Sequence, residues 1–202
     1  MKTESYASKP EGRIPSSRFP LLILRCAIPG GGTDAVKSLF RMNGWGNNWE
    51  YPGIYEYAHF HSTSHECLGC ASGWMEFKLS VEGWTKVRLE MGDVIVMPAG
   101  VSHEMVGHSD DIMMCGGYAG GRDWDNIQEA FLTPELYYQA CKQIMSLPIP
   151  DRDPVTGDVL HQWHEAPSSV EGGWKDITDG IDARERSAER AFVSVILLSG
   201  RS

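Results

Sequence analysis

The sequence predicts an all-β domain flanked by a few short helices. Between Gly53 and Tyr118, short runs of β-branched, aromatic and apolar residues recur, separated by Gly, Pro, Asp and Ser. Many short strands at close spacing suit a sandwich or a closed barrel. Helical spacing is confined to segments before and after that stretch. A chain of 202 residues, 42% hydrophobic and 22% charged, has the size and make-up of one ordinary globular domain with added elements.

Residues 1–19 are rich in Ser, Pro and charge and read as an extended N-terminal arm. Residues 21–27 read as an apolar strand, and a Gly-rich turn follows over 29–33. Residues 34–42 place Val36, Leu39 and Phe40 on one side of a helix, with Thr33 or Asp34 as N-cap. Residues 43–53 read as a loop anchored by Trp45 and Trp49. Strands are expected at 53–61, 66–70, 74–79, 85–89, 93–97, 103–106 and 112–118, with a hairpin turn at Glu82-Gly83. A second helix is expected over 133–145: Thr133 can cap it, Pro134 suits its first turn, and Glu135 suits the positive end of its dipole. Residues 147–157 are rich in Pro and Asp, 166–190 are polar, and 191–198 form a last β-rich apolar run. The expected organisation is an arm at 1–19, a single domain at 20–165 and a C-terminal extension at 166–202.

The net charge of −9 disfavours a phosphate backbone or an anionic lipid surface, so neither nucleic acid nor membrane is an expected partner. No stretch approaches the roughly 20 apolar residues of a membrane helix, and nothing resembles a secretory signal, so a cytoplasmic protein is expected. The five cysteines are an odd number, which argues against a disulfide framework. Cys67 and Cys70 form a C-x-x-C without a second pair to complete a zinc site and without a βαβ pattern. They read as two strand residues.

His59-Phe60-His61 carries the chemistry. In a strand, residues i and i+2 share a face, so both imidazoles can meet one ion. Glu66 follows after room for a bend, and His103 comes from a separate strand after Pro98-Ala99-Gly100. Three imidazoles and a carboxylate suit one divalent transition metal (Fe, Mn, Ni, Zn or Cu) rather than Ca or Mg. Four protein ligands in an octahedral field leave two positions open.

At these residues the chain resembles the cupin superfamily. The first cupin motif, G-x5-H-x-H-x(3,4)-E-x6-G, is matched by Gly53, His59, His61, Glu66 and Gly73. The second, G-x5-P-x-G-x2-H-x3-N, is matched by Gly92, Pro98, Gly100 and His103, with Gly107 in place of the closing Asn. The glycines fit turn positions needing positive φ or close approach. Asn43-Gly44-Trp45, Asn48-Trp49, the run from His61 to Glu66, the run from Pro98 to His103, and the run from Tyr118 to Asp125 resemble the YjlB-type single-domain cupins. So do Leu147-Pro148-Ile149-Pro150 and Asp153-Pro154-Val155. The resemblance covers residues from about 10 to 165. It implies a jelly-roll barrel and a homodimer, and it assigns no reaction.

Tyr57 shares the face of His59 and His61 and is the candidate catalytic residue, a phenol directed at bound substrate. His65 should point away from the metal by strand alternation. His161 and His164 are spaced like a ligand pair but have no further partner in the sequence. The expected function is a metal-dependent enzyme acting on a small organic molecule, of dioxygenase or Lewis-acid isomerase type. The alternative is a non-catalytic small-molecule or metal-binding module, because the fold serves both classes.

Overall fold

The computed structural model describes residues 1–8, 12 and 14–166; the apolar run at 191–198 lies outside the described residues. The described chain folds into two antiparallel sheets with three short helices and one 3-10 turn. In chain order the strands are β1 (Lys2–Tyr6), β2 (Leu21–Arg25), β3 (Trp45–Tyr51), β4 (Glu66–Ser72), β5 (Trp74–Leu79), β6 (Thr85–Glu90), β7 (Val94–Met97), β8 (His103–His108) and β9 (Met113–Ala119). The larger sheet runs β1-β2-β7-β4-β9-β3 and the smaller runs β6-β5-β8. From β4 onwards the chain passes repeatedly between the sheets, so sequence neighbours face one another across the core. The all-β expectation holds.

Side-chain alternation explains the core. Met75, Phe77 and Leu79 of β5 point inward and meet Leu21, Ile23, Leu68 and Ile95 of the larger sheet. The larger sheet is covered on its other face as well. There α1 (Thr33–Met42) sets Val36 and Phe40 beside Leu22, Cys67, Val94 and Val96. Burial on both faces is why β2 and β7 read as continuous apolar runs, whereas β6 alternates between buried and exposed positions. Cys67 packs in the outer layer and Cys70 in the inner core, so the C-x-x-C pair splits across the sheet. All five thiols are free.

Two local expectations are corrected. The expected strand at 53–61 is not regular: Gly53 to Ala58 carry no ladder, and only His59 and Phe60 form isolated bridges, to His103 and Ile127. The strand lies earlier, in the expected loop, where β3 pairs with β9 across a register shift between Gly46 and Trp49. Asn47 adopts φ 52 inside that irregularity, so the Gly46-Asn47-Asn48 stretch marks a bulge within a strand. The second correction concerns α1. Neither Thr33 nor Asp34 caps it; the N-cap is Gly32 at φ 91, with no side-chain bond. Gly32 N–H donates to Ala71 O at 2.8 Å, which draws the turn against β4. At α2 (Pro134–Ser146) the expected cap is present, with Thr133 Oγ1 accepting from Leu136 N at 3.2 Å. A last short helix, α3 (His161–His164), buries Trp163, whose Nε1 donates to Pro20 O at 2.8 Å. Among the described residues, no helix is long and apolar enough to cross a membrane.

Candidate metal centre

The backbone builds the site before any side chain does. His59 N–H donates to His103 O at 3.2 Å and His103 N–H returns to His59 O at 2.9 Å, which makes the two residues a cross-strand pair. Gly100 N–H donates to His61 O at 2.9 Å and ties the 98–102 turn to the same segment. Gly100 holds φ 92, and a Cβ there would lie 2.8 Å from Ser16 O, so the turn needs glycine. Glu66 opens β4 and reaches the cluster from the larger sheet.

His59, His61 and His103 are buried, and their ligand atoms lie within 4.8 Å of one another. Each ring has its Nδ1 engaged by a backbone carbonyl. His59 Nδ1 donates to Tyr57 O at 3.0 Å, His103 Nδ1 donates to Val101 O at 3.2 Å, and His61 Nδ1 donates to Asp125 O. A carbonyl can only accept, so Nδ1 carries the proton in all three neutral rings. Each Nε2 is left with a free lone pair, the arrangement that orients histidines as ligands. Glu66 Oε2 lies 3.4 Å from His61 Nε2 and 3.6 Å from His103 Nε2. It is buried with no hydrogen-bond partner among the described residues. An orphaned carboxylate oxygen beside three imidazole lone pairs is a costly arrangement by itself. The donor set fits a divalent transition metal, which would resolve that cost when bound.

The electrostatics divide the three rings. Burial pushes the His103 pKa well below its usual value, and the neighbouring His59 and His61 push it further. Burial also lowers His59. Burial acts against protonation of His61 too, but the negative charge of Glu66 outweighs it, and the net shift is upward.

A cavity of about 360 Å³ opens on the cluster. Trp49, Ile54, Tyr55, Tyr118 and Trp124 form its aromatic and apolar walls. Trp49 Nε1 donates to Tyr118 Oη at 3.1 Å. The Tyr118 pKa is raised by burial and by the adjacent negative charge of Glu66. The Trp49 ring lies flat over Gly116, where a Cβ would sit 2.1 Å from it. Tyr57 lies behind His59, edge-on at 5.5 Å, and is 39% exposed. Its hydroxyl accepts from Asn126 Nδ2 at 3.2 Å.

Sequence reasoning missed Asp125, Tyr118 and Trp49. Asp125 accepts from Ser62 N at 2.6 Å and from Thr63 N at 3.2 Å through Oδ1, while its carbonyl holds His61. It thereby binds the turn between His61 and Glu66 to the segment after β9. The available signal was that both segments, the run from His61 to Glu66 and the run from Tyr118 to Asp125, carry family-like residues. His65 points to the outer face, where it packs edge-on against Trp163 and Phe19. Among the described residues, His161 and His164 join no metal-competent cluster.

No protein-family model matches the chain. Over 157 residues it is 31% identical to the uncharacterized protein YjlB of Bacillus subtilis (strain 168), spanning 77% of this chain and 92% of that protein. The chain belongs to the YjlB-type cupins. Among solved structures, this cupin is similar to an acireductone dioxygenase from Bacillus anthracis with a cadmium ion in its active centre. That match has TM-score 0.38 and 16% identity, and covers 48% of this chain and 64%, less than two thirds, of the dioxygenase. It is also similar to RmlC from Streptococcus suis in complex with dTDP-D-xylose, at TM-score 0.36 and 12% identity, over 63% and 79% of the two chains. A Bacillus subtilis oxalate decarboxylase mutant matches at TM-score 0.34 and 12% identity, over 82% of this chain and 38% of the decarboxylase.

Proposed function

We propose that this cupin is a metal-dependent enzyme acting on a small organic molecule, with one divalent transition metal held by His59, His61, Glu66 and His103. The supporting observation is the convergence of three carbonyl-oriented imidazoles and an orphaned carboxylate at an accessible cavity. Such a metal supplies Lewis acidity and, where redox-active, electron transfer to dioxygen. The chain's own residues do the rest. Trp49, Tyr55 and Trp124 offer flat faces that orient a planar substrate and exclude water. The Tyr118 hydroxyl keeps its proton and can donate it to a substrate oxygen. Neither Lys nor Arg lines the cavity among the described residues, so the substrate is a planar, weakly charged oxygen compound such as a hydroxyketone or a phenol. The proposal keeps a catalytic part for Tyr57 beside His59; loss of turnover with metal retained in Tyr57→Phe supports that part.

The test is elemental analysis of protein purified without added metal, followed by oxygen-uptake and isomerisation assays on small hydroxyketones and phenols. About one ion per chain with turnover on that panel supports the reading; a folded protein that takes up no transition metal overturns it. One observation favours a non-catalytic binding module instead. Glu66 belongs to the cluster and Glu50 is paired with Lys37, which leaves no free carboxylate base among the described lining residues. Tight binding of panel compounds to the metal-loaded protein without turnover supports that second reading. The proposal takes the protein as a cytoplasmic homodimer, which light scattering tests for assembly and fractionation for compartment.

A further inference from the structure

The geometry points to a second binding site, on the outer face of the larger sheet, for a small organic anion carrying a phosphate or paired carboxylates. A cleft of about 560 Å³ lies there. Arg41, Arg122 and Arg152 line it from three separate segments, against one carboxylate, Asp151. The protein as a whole is acidic, at −9, so three guanidiniums at one concavity reverse the local sign. None of the three has an ion-pair partner among the described residues. A cation in the last turn of a helix suits the dipole, which accounts for Arg41 alone.

The segments carrying these arginines are fixed to one another through β3 and the turn before it. Trp45 Nε1 donates to Arg152 O at 2.8 Å, Asn43 Nδ2 to Pro154 O at 3.0 Å, and Asn47 Nδ2 to Arg122 O at 3.2 Å. The three guanidiniums therefore start from pre-set backbone positions, which lowers the ordering cost of gripping an anion. Guanidiniums match phosphate and carboxylate geometry through paired N–H donors. Pro148 and Ile149 supply an apolar wall beside them, which suits an organic anion over a bare inorganic one. His65 closes the inner end: its Nδ1 accepts from Ala99 N at 2.9 Å, and its Nε2–H meets no acceptor in hydrogen-bonding geometry among the described residues.

The cleft and the metal cavity lie on opposite faces of the larger sheet, separated at β4 by the peptide bond between His65 and Glu66. The proposal does not rest on the metal reading, and the experiment separates the two. Calorimetric titrations at constant ionic strength would use full-length protein with phenyl phosphate, inorganic phosphate and glutarate. The expected result is one saturable site, tighter for phenyl phosphate than for phosphate. An Arg41→Ala/Arg122→Ala/Arg152→Ala variant should weaken it at least about tenfold, while His61→Ala leaves it unchanged. Phenyl phosphate and glutarate then tell a phosphate ester from a dicarboxylate as the preferred class. No saturable binding to the wild type overturns the proposal. So does binding that survives in the folded triple variant, or binding lost in His61→Ala but kept in the arginine variant.

Discussion

His61 and His65 are four residues apart, both buried, and face opposite sides of the larger sheet. Burial pushes both pKa values down, yet His61 ends above its usual value and His65 falls to about 3. The difference is one carboxylate. His61 sits 3.4 Å from Glu66 in a polar ring, whereas His65 lies among Phe19, Trp163 and the charges of Arg122 and Arg18. The carboxylate beside His61 favours its protonated form, and the surroundings of His65 favour the neutral one. Burial thus does not separate the two histidines; the charge within reach does.

The largest expected effect tests the inner side of that contrast. His61→Ala should lower transition-metal affinity more than about 100-fold, beyond the 10–100-fold typical of an outer-shell change, while the protein still unfolds cooperatively. Elemental analysis and thermal denaturation of the same sample check it; full occupancy in a folded variant would break the ligand assignment. The metal-free wild type should keep a cooperative transition as well, because a domain of this length buries a core of its own.

The outer side is sharpened by pH. An unfolded His65 takes up a proton near 6.5 and the folded one only near 3. The unfolded state therefore binds more protons between those values, and stability falls as pH drops through that window. At about 1.36 kcal/mol per unit the loss amounts to at most about 5 kcal/mol. His65→Asn keeps an acceptor for Ala99 N–H and removes the titration. Its stability curve should be flatter between pH 6.5 and 3 with metal content unchanged, as denaturant titrations across that range would show. An unaltered slope would mean that other groups carry the acid sensitivity.

Between the two histidines runs the turn that Asp125 holds. Asp125→Ala should leave Ser62 and Thr63 unsatisfied, cost about 1–3 kcal/mol in stability, and weaken metal binding by about 10-fold or more through the His61 ring. Competition with a chromophoric chelator measures the second effect. An unchanged affinity would show that the turn holds without its clamp.

Smallest is the effect expected of Tyr118→Phe. It removes the acceptor of Trp49 Nε1, costing about 1 kcal/mol in stability. Metal affinity should change by only a few-fold. A loss as large as that of His61→Ala would move Tyr118 into the first rank of the site.

The sequence by itself determined the all-β class, because period-two patterns and turn residues are local properties. β5 was legible to the residue, since one face meets the core and the other is wet. It also singled out His59, His61, Glu66 and His103 as one constellation, because their spacing matches the two motifs. Only the tertiary structure decided that β3 occupies the Asn-rich segment, since its pairing with β9 across a bulge overrides local turn chemistry. Only it could show that the carbonyls of Tyr57, Val101 and Asp125 set the tautomers, as a backbone carbonyl has no signature in sequence. The same holds for the three arginines of the outer cleft. They are far apart along the chain, and hydrogen bonds from Trp45, Asn43 and Asn47 to distant carbonyls bring their segments together.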